Sequence, residues 1–123
     1  MGAVSTAADV IVVGAGPAGS AAATKLSEAG RSVIMLEQHA LPRGKPCGGA
    51  VPSTVLERYP EAASQGFFRW IDRVFFQLRR RRPVEIPLPH HGIGIVDRAS
   101  FDVALARGSG AEVRQGVRVR YLS

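Results

Sequence analysis

Residues 9–37 read DVIVVGAGPAGSAAATKLSEAGRSVIMLE, and no other stretch restricts the fold as tightly. Asp9 to Val13 is a short β-branched apolar run, the pattern of a strand buried on both faces. Gly14, Gly16 and Gly19 follow as G-x-G-x-x-G. Pro17 suits the first turn of a helix, where its missing N–H is not needed. Ala18, Ala21, Ala22, Leu26 and Ala29 then recur at helical spacing, and Gly30 is placed to end the helix. Ser32 to Leu36 is a second apolar run, and the acid Glu37 comes directly after it.

Strand, glycine turn, helix, strand and acid thus fall in register within about 30 residues, as a dinucleotide-binding unit requires. Gly14 permits the tight turn, Gly16 lets the backbone approach a pyrophosphate, and Gly19 with Ala23 lets the helix lie close on the sheet. The helix start offers N–H groups and a positive dipole end to phosphates. Glu37 is placed to accept hydrogen bonds from a ribose diol. Only Gln38 and His39 directly follow it, with no arginine for a 2′-phosphate, which favours FAD or NAD over NADP.

After Glu37 the chain does not turn into another helix and strand. It enters a Pro- and Gly-rich loop, in which RGKPCGGAVP (43–52) is a stretch expected to form neither helix nor strand. That loop can run along a long cofactor. Gly48 and Gly49 would let the backbone approach a flat ring, and Arg43 and Lys45 could meet phosphate or substrate anions. Cys47 is the one cysteine, which excludes an internal disulfide and a multi-cysteine zinc site. It reads equally as a small apolar filler or as a group that positions or protonates a ligand.

V-G-A-G-P-A-G followed by K-P-C-G-G-A-V-P resembles the geranylgeranyl reductase family of FAD-dependent oxidoreductases, which belongs with the para-hydroxybenzoate-hydroxylase-type flavoproteins. V-D-R-A-S-F-D-V-A-L (96–105) and G-A-E-V (110–113) are similar to a second stretch of that family. The resemblance implies an α/β fold: a Rossmann-like FAD-binding βαβ unit with the start of a mixed or antiparallel β substrate domain. It also implies that Gly14, Gly16 and Gly19 hold the FAD pyrophosphate, with Ala18 nearby, and that Glu37 binds the adenosine ribose. Cys47 and Gly48 would lie beside the flavin or the reacting double bond, with Cys47 the candidate catalytic residue. Arg98 would contact the cofactor from the start of its helix, and Val119 would touch the adenine through its backbone. The implied partners are an isoprenoid or other apolar substrate and a reductant such as NAD(P)H or ferredoxin. The family's later Gly-Asp motif is not in this sequence, so the expectation is an N-terminal fragment, inactive alone. A non-catalytic nucleotide-binding fragment, or another flavoprotein such as an aromatic hydroxylase or halogenase, is the alternative.

The expected division is 1–66 as βαβ unit and cysteine loop, 67–95 as a β-hairpin beginning a substrate domain, and 96–123 as a helix and strand returning to the FAD-binding domain. Ser53 to Tyr59 reads as a short helix with Thr54 and Glu57 as a capping box. FFRWIDRVFFQL, RRRRP and VEIPL read as a hairpin. Much of the net charge of +6 sits in Arg79–Arg82 at its tip, read first as solvated and next as contacting an anionic membrane surface or a diphosphate. Nucleic acid is not expected, since the arginines are not interleaved with stacking aromatics. His90 and His91 read as a turn with solvated imidazoles rather than a metal pair. Ser100 to Arg107 reads as a helix with Phe101, Ala104 and Leu105 on one face, and Val117, Val119 and Tyr121 as alternate positions of a half-exposed final strand. The chain is about one helical turn shorter than the family pattern before G-A-E-V, about 5.4 Å, which leaves the register of that strand open. With no signal-like start and no run near the roughly 20 apolar residues of a membrane span, a cytoplasmic protein, or one peripheral to a membrane, is expected.

Overall fold

The computed structural model describes residues 7–89 and 91–121. In chain order the elements are β1 (Val10–Val13), α1 (Pro17–Glu28), β2 (Val33–Glu37), β3 (Ala50–Pro52), α2 (Ser53–Arg58), α3 (Pro60–Gly66), β4 (Phe67–Ile71), β5 (Arg73–Phe76), β6 (Val84–Pro87), β7 (Ile93–Val96), α4 (Arg98–Gly108) and β8 (Glu112–Gln115). They form two units. One holds the residues up to Gly44 and those from Asp102 onward; the other is Lys45–Phe101.

The first unit is the α/β part. Its sheet has the order β1-β2-β8, all parallel, with Val10 opposite Val33 and Ile34 opposite Glu112. A clamp fixes the start of the first pair: Ser32 N and Oγ both donate to Asp9 Oδ2, at 2.8 and 2.9 Å. The α1 helix is alanine-rich, so little side-chain entropy opposes it. It ends where Gly30 takes φ +76°, with Gly30 N donating to Ser27 O and Arg31 N to Leu26 O. Small residues let it sit down on the sheet. Ala15, Ala23, Val33, Met35 and Ala106 are fully or nearly fully buried together, flanked by Val12, Leu26 and Val113.

The strand read as buried on both faces is not. Ile11 and Val13 are 59% and 57% exposed, because β1 is an edge strand and no described residue covers the face they present. The final strand is also shorter than expected. β8 stops at Gln115, and Gly116 (φ +73°) turns the chain there, although Val117 N still donates to Glu37 O at 2.9 Å. Val117, Val119 and Tyr121 therefore do not alternate along a strand.

The second unit carries an antiparallel sheet of order β3-β7-β4 and the separate hairpin β5-β6. The stretch 43–52 is coil only as far as Gly49. Ala50–Pro52 forms β3, because β7 offers it a partner edge, and the last position of an edge strand tolerates Pro52. The capping box does not form. α2 begins at Ser53, two residues too early for Thr54 to cap it, and its N-cap Pro52 has no side-chain group to donate or accept. The aromatic run splits at Asp72: β4 pairs with β7, while β5 alone pairs with β6. Arg79–Arg82 are exposed at the hairpin turn, as a solvated tip should be. His90 lies outside the described residues. His91 is exposed in a turn, but its ring also packs at a tilt of 45° against Trp70, with centroids 4.6 Å apart. α4 starts two residues before the expected helix, and Phe101 to Ala106 are buried without interruption rather than along one face, Asp102 among them.

Gly49 shows why the cysteine loop needs its glycines. Its φ is +74°, and a Cβ there would overlap the Val96 carbonyl oxygen, while Val96 N donates to Gly49 O at 2.9 Å. Gly49→Ala is expected to lower stability by about 2 kcal/mol from backbone strain and overlap together. Gly48→Ala, whose Cβ would meet nothing within 4 Å, should be near neutral in the same urea titration.

Candidate nucleotide site

The site is built where β1 hands over to α1. Gly14 takes φ +99°, a conformation that side chains disfavour, and its N–H donates to Leu36 O at 2.8 Å. Gly16 is the N-cap of α1 and Pro17 the first helical residue, and no side chain caps the helix. The N–H groups of the first turn lack intrahelical acceptors, and no acidic residue in that turn offsets the positive dipole end. Ala18 and Gly19 carry two of these uncapped amides, the kind of group that suits an anion. Gly19 is there for closeness: a Cβ on it would overlap the Gly14 carbonyl oxygen and reach 3.3 Å from Val12 Cγ1.

Glu37 closes the other side. It is the last residue of β2 and only 3% exposed. Its Oε2 accepts the Ala15 N–H at 2.9 Å, and its Oε1 accepts the His39 N–H at 3.0 Å. Burial pushes its carboxyl up, but those two N–H groups and the nearby Arg43 charge outweigh it and hold the group below the usual glutamate range. The carboxylate is therefore ionised at neutral pH and rigidly aimed. Arg43 comes from the following loop, which is tied down where Leu41 N donates to Gln115 Oε1 at 2.6 Å. Its Nε stands 3.5 Å from Glu37 Oε2, and its Nη2 is 3.5 Å from where a Gly16 Cβ would be.

Gly14, Gly16, Ala18, Gly19 and Glu37 are thus brought together in the first unit. Val119 is in the same unit and half-buried, but it lies in coil beyond the end of β8 rather than on the final strand expected to carry it. Cys47, Gly48 and Arg98 belong to the second unit. Cys47 is exposed in coil, and its Sγ accepts the Gly49 N–H at 3.4 Å. Arg98 is the first residue of α4, half-buried. Sequence reasoning missed Ala15, which contributes only its amide, and so left no side-chain signal. It named Arg43 for anions without finding that an anion of the protein itself stands beside it. Among the described residues no three His, Cys, Asp or Glu side chains are grouped to hold a metal, and no helix is long and apolar enough to cross a membrane.

A glycine cradle open to close backbone approach, uncapped amides and an ionised carboxylate one strand away fit the diphosphate and ribose of a dinucleotide. Residues 8–118 match the family described as pyridine nucleotide-disulphide oxidoreductase. The chain belongs to that family. Its Rossmann-like α/β fold is the one that the resemblance in the sequence led us to expect. It is 34% identical over 122 residues to the chloroplastic geranylgeranyl diphosphate reductase of Oryza sativa subsp. japonica, covering 91% of this chain and 25% of that protein. It is 46% identical over 69 residues to the menaquinone reductase of Mycobacterium tuberculosis, covering 55% of this chain and 16% of that one. The flavoprotein/dehydrogenase of Cytophaga hutchinsonii superposes with a TM-score of 0.75 at 26% identity, over 94% of this chain and 32% of the other. The chain thus spans a quarter or less of the curated relatives described here.

Proposed function

We propose that this chain is the FAD-binding part of an oxidoreductase that reduces double bonds of an isoprenoid. The observation that carries the reading is the pairing of the uncapped start of α1 with the ionised, pinned carboxylate of Glu37. In that reading the Ala18 and Gly19 amides hold the diphosphate, and Gly14 and Gly16 keep the approach open. Glu37 holds the ribose hydroxyls, and the Val119 backbone borders the adenine. Arg98 contacts the cofactor from the start of α4. Cys47 and Gly48 are assigned to the flavin side, with Cys47 placed to position the substrate or give it a proton. The flavin, when bound, supplies the hydride, and the protein supplies position and exclusion of competing chemistry.

The named substrates of the two curated relatives share a polyprenyl chain, which supports an isoprenoid-bearing substrate for this protein too. NAD(P)H or ferredoxin would furnish the electrons. The exposed Arg79–Arg82 tip supports a peripheral contact with an anionic membrane, where such substrates reside.

The test uses the chain joined to the remaining length its relatives carry. After reconstitution with FAD it should show flavin absorbance and, with reductant, convert geranylgeranyl diphosphate to products with fewer double bonds. Absence of flavin would remove the reading. Hydroxylation or halogenation of an aromatic, with the polyprenyl chain untouched, would replace it with the hydroxylase or halogenase alternative.

A further inference from the structure

We propose that Arg43 is an exchange residue that couples the two halves of the nucleotide site, leaning on Glu37 until a diphosphate arrives to receive it. This rests on the reading that the site takes an adenine nucleotide. The contact with Glu37 is slack. At 3.5 Å it is well beyond the roughly 2.7–2.9 Å of a charge-assisted hydrogen bond. Arg43 Nε is buried yet has no hydrogen-bond partner among the described residues. A buried donor left in this state marks a side chain that has neutralised a charge without being seated on it.

The acceptor count at Glu37 explains what a ribose would do. Oε1 already accepts His39 N–H, and Oε2 already accepts Ala15 N–H, with Arg43 Nε facing it. A ribose diol donates twice, and a carboxylate has about four acceptor directions. One hydroxyl can take the remaining direction on Oε1. The second must take the one that Arg43 faces on Oε2. Ribose recognition therefore evicts the guanidinium.

The same guanidinium already reaches the other subsite, since Nη2 lies beside Gly16 at the start of α1. A diphosphate seated on that helix start would meet it after rotation of the side chain alone, with the loop still tied by Leu41 to Gln115. Adenosine must evict Arg43 and gives it no new anion. ADP evicts it and receives it. Arg43 thus penalises ligands that bring a ribose without a diphosphate.

Calorimetric titration of this chain with ADP and with adenosine tests the proposal. The parent chain should bind ADP the more tightly. In Arg43→Gln, ADP should weaken about tenfold while adenosine is unchanged or up to severalfold tighter, so the ratio of the two affinities collapses. Arg43→Lys should keep part of the preference. If Arg43→Gln weakens both ligands equally, or neither, the exchange is wrong and the arginine is only structural. A folded parent chain that binds neither ligand would instead overturn the nucleotide reading itself. In the parent chain the Arg43 Nε–H resonance provides a check that needs no variant: ADP should shift it towards a strongly hydrogen-bonded position. An identical response to adenosine would overturn the exchange.

Discussion

Gly19→Ala is expected to abolish measurable ADP binding and to lower the melting temperature, although it adds one methyl group. Gly19 does not owe its identity to an unusual backbone angle. It owes it to space. The added Cβ would overlap the Gly14 carbonyl oxygen and stand 3.1 Å from the Gly14 carbonyl carbon and 3.3 Å from Val12 Cγ1. Two of those three neighbours are backbone and cannot rotate aside. Relief requires α1 to lift from β1 or the turn at Gly14 to open. Either movement disturbs Gly14 N–H on Leu36 O and Ala15 N–H on Glu37, the bonds that align the turn with the carboxylate. Overpacking of this kind costs about 1–3 kcal/mol, and the upper end applies because no flexible side chain can give way. Circular dichroism melting and ADP titration read the two effects. Gly44→Ala, with nothing within 4 Å of its Cβ, is the matched control and should change neither. A Gly19→Ala chain that melts within about 1 °C of the parent and binds ADP equally well would refute the close-packing argument.

The segment where this prediction lives was also the most legible part of the sequence. Its signals are local and mutually consistent: β-branched run, glycine spacing, alanine face, terminal glycine, second run, acid. Each names its own neighbour, so α1, β2 and the place of Glu37 followed from a few residues at a time. The second unit was harder because its elements depend on β7. Ala50–Pro52 becomes a strand, and Phe67–Ile71 separates from Arg73–Phe76, only because Ile93–Val96 lies between β3 and β4. Nothing in 43–52 or 67–78 announces a partner that arrives much later in the chain. The end failed for a related reason. Val117, Val119 and Tyr121 alternate correctly, yet the strand that pairs with β2 had already been used up by Glu112–Gln115. At the site, the glycines and Glu37 were readable because their side chains, or lack of them, do the work. The amide of Ala15 was not, because any residue type could supply it.

Removing the Glu37 carboxylate should produce the largest loss of stability outside the glycine turn, and the loss should depend on pH. Glu37→Ala leaves the Ala15 and His39 N–H groups without their acceptor and Arg43 without its counter-charge, in a place where Glu37 is 3% exposed. Stranding buried partners in this way costs about 2–4 kcal/mol. Glu37→Gln keeps the shape but offers one acceptor oxygen in place of two, so one of the two N–H groups faces an amide NH2, and the loss should be smaller. The carboxyl is depressed in the folded chain, so its contribution is complete at neutral pH and above roughly pH 4.3, where an unfolded glutamate titrates. It is lost as pH falls through the lower folded value. Urea titrations at pH 7 and pH 3.5 should therefore show a gap between parent and Glu37→Gln that narrows in acid. Asp9, also depressed by its bonds from Ser32, weakens both proteins alike over that range and does not affect the difference. A gap of equal size at both pH values would mean that Glu37 serves by its shape rather than by its charge.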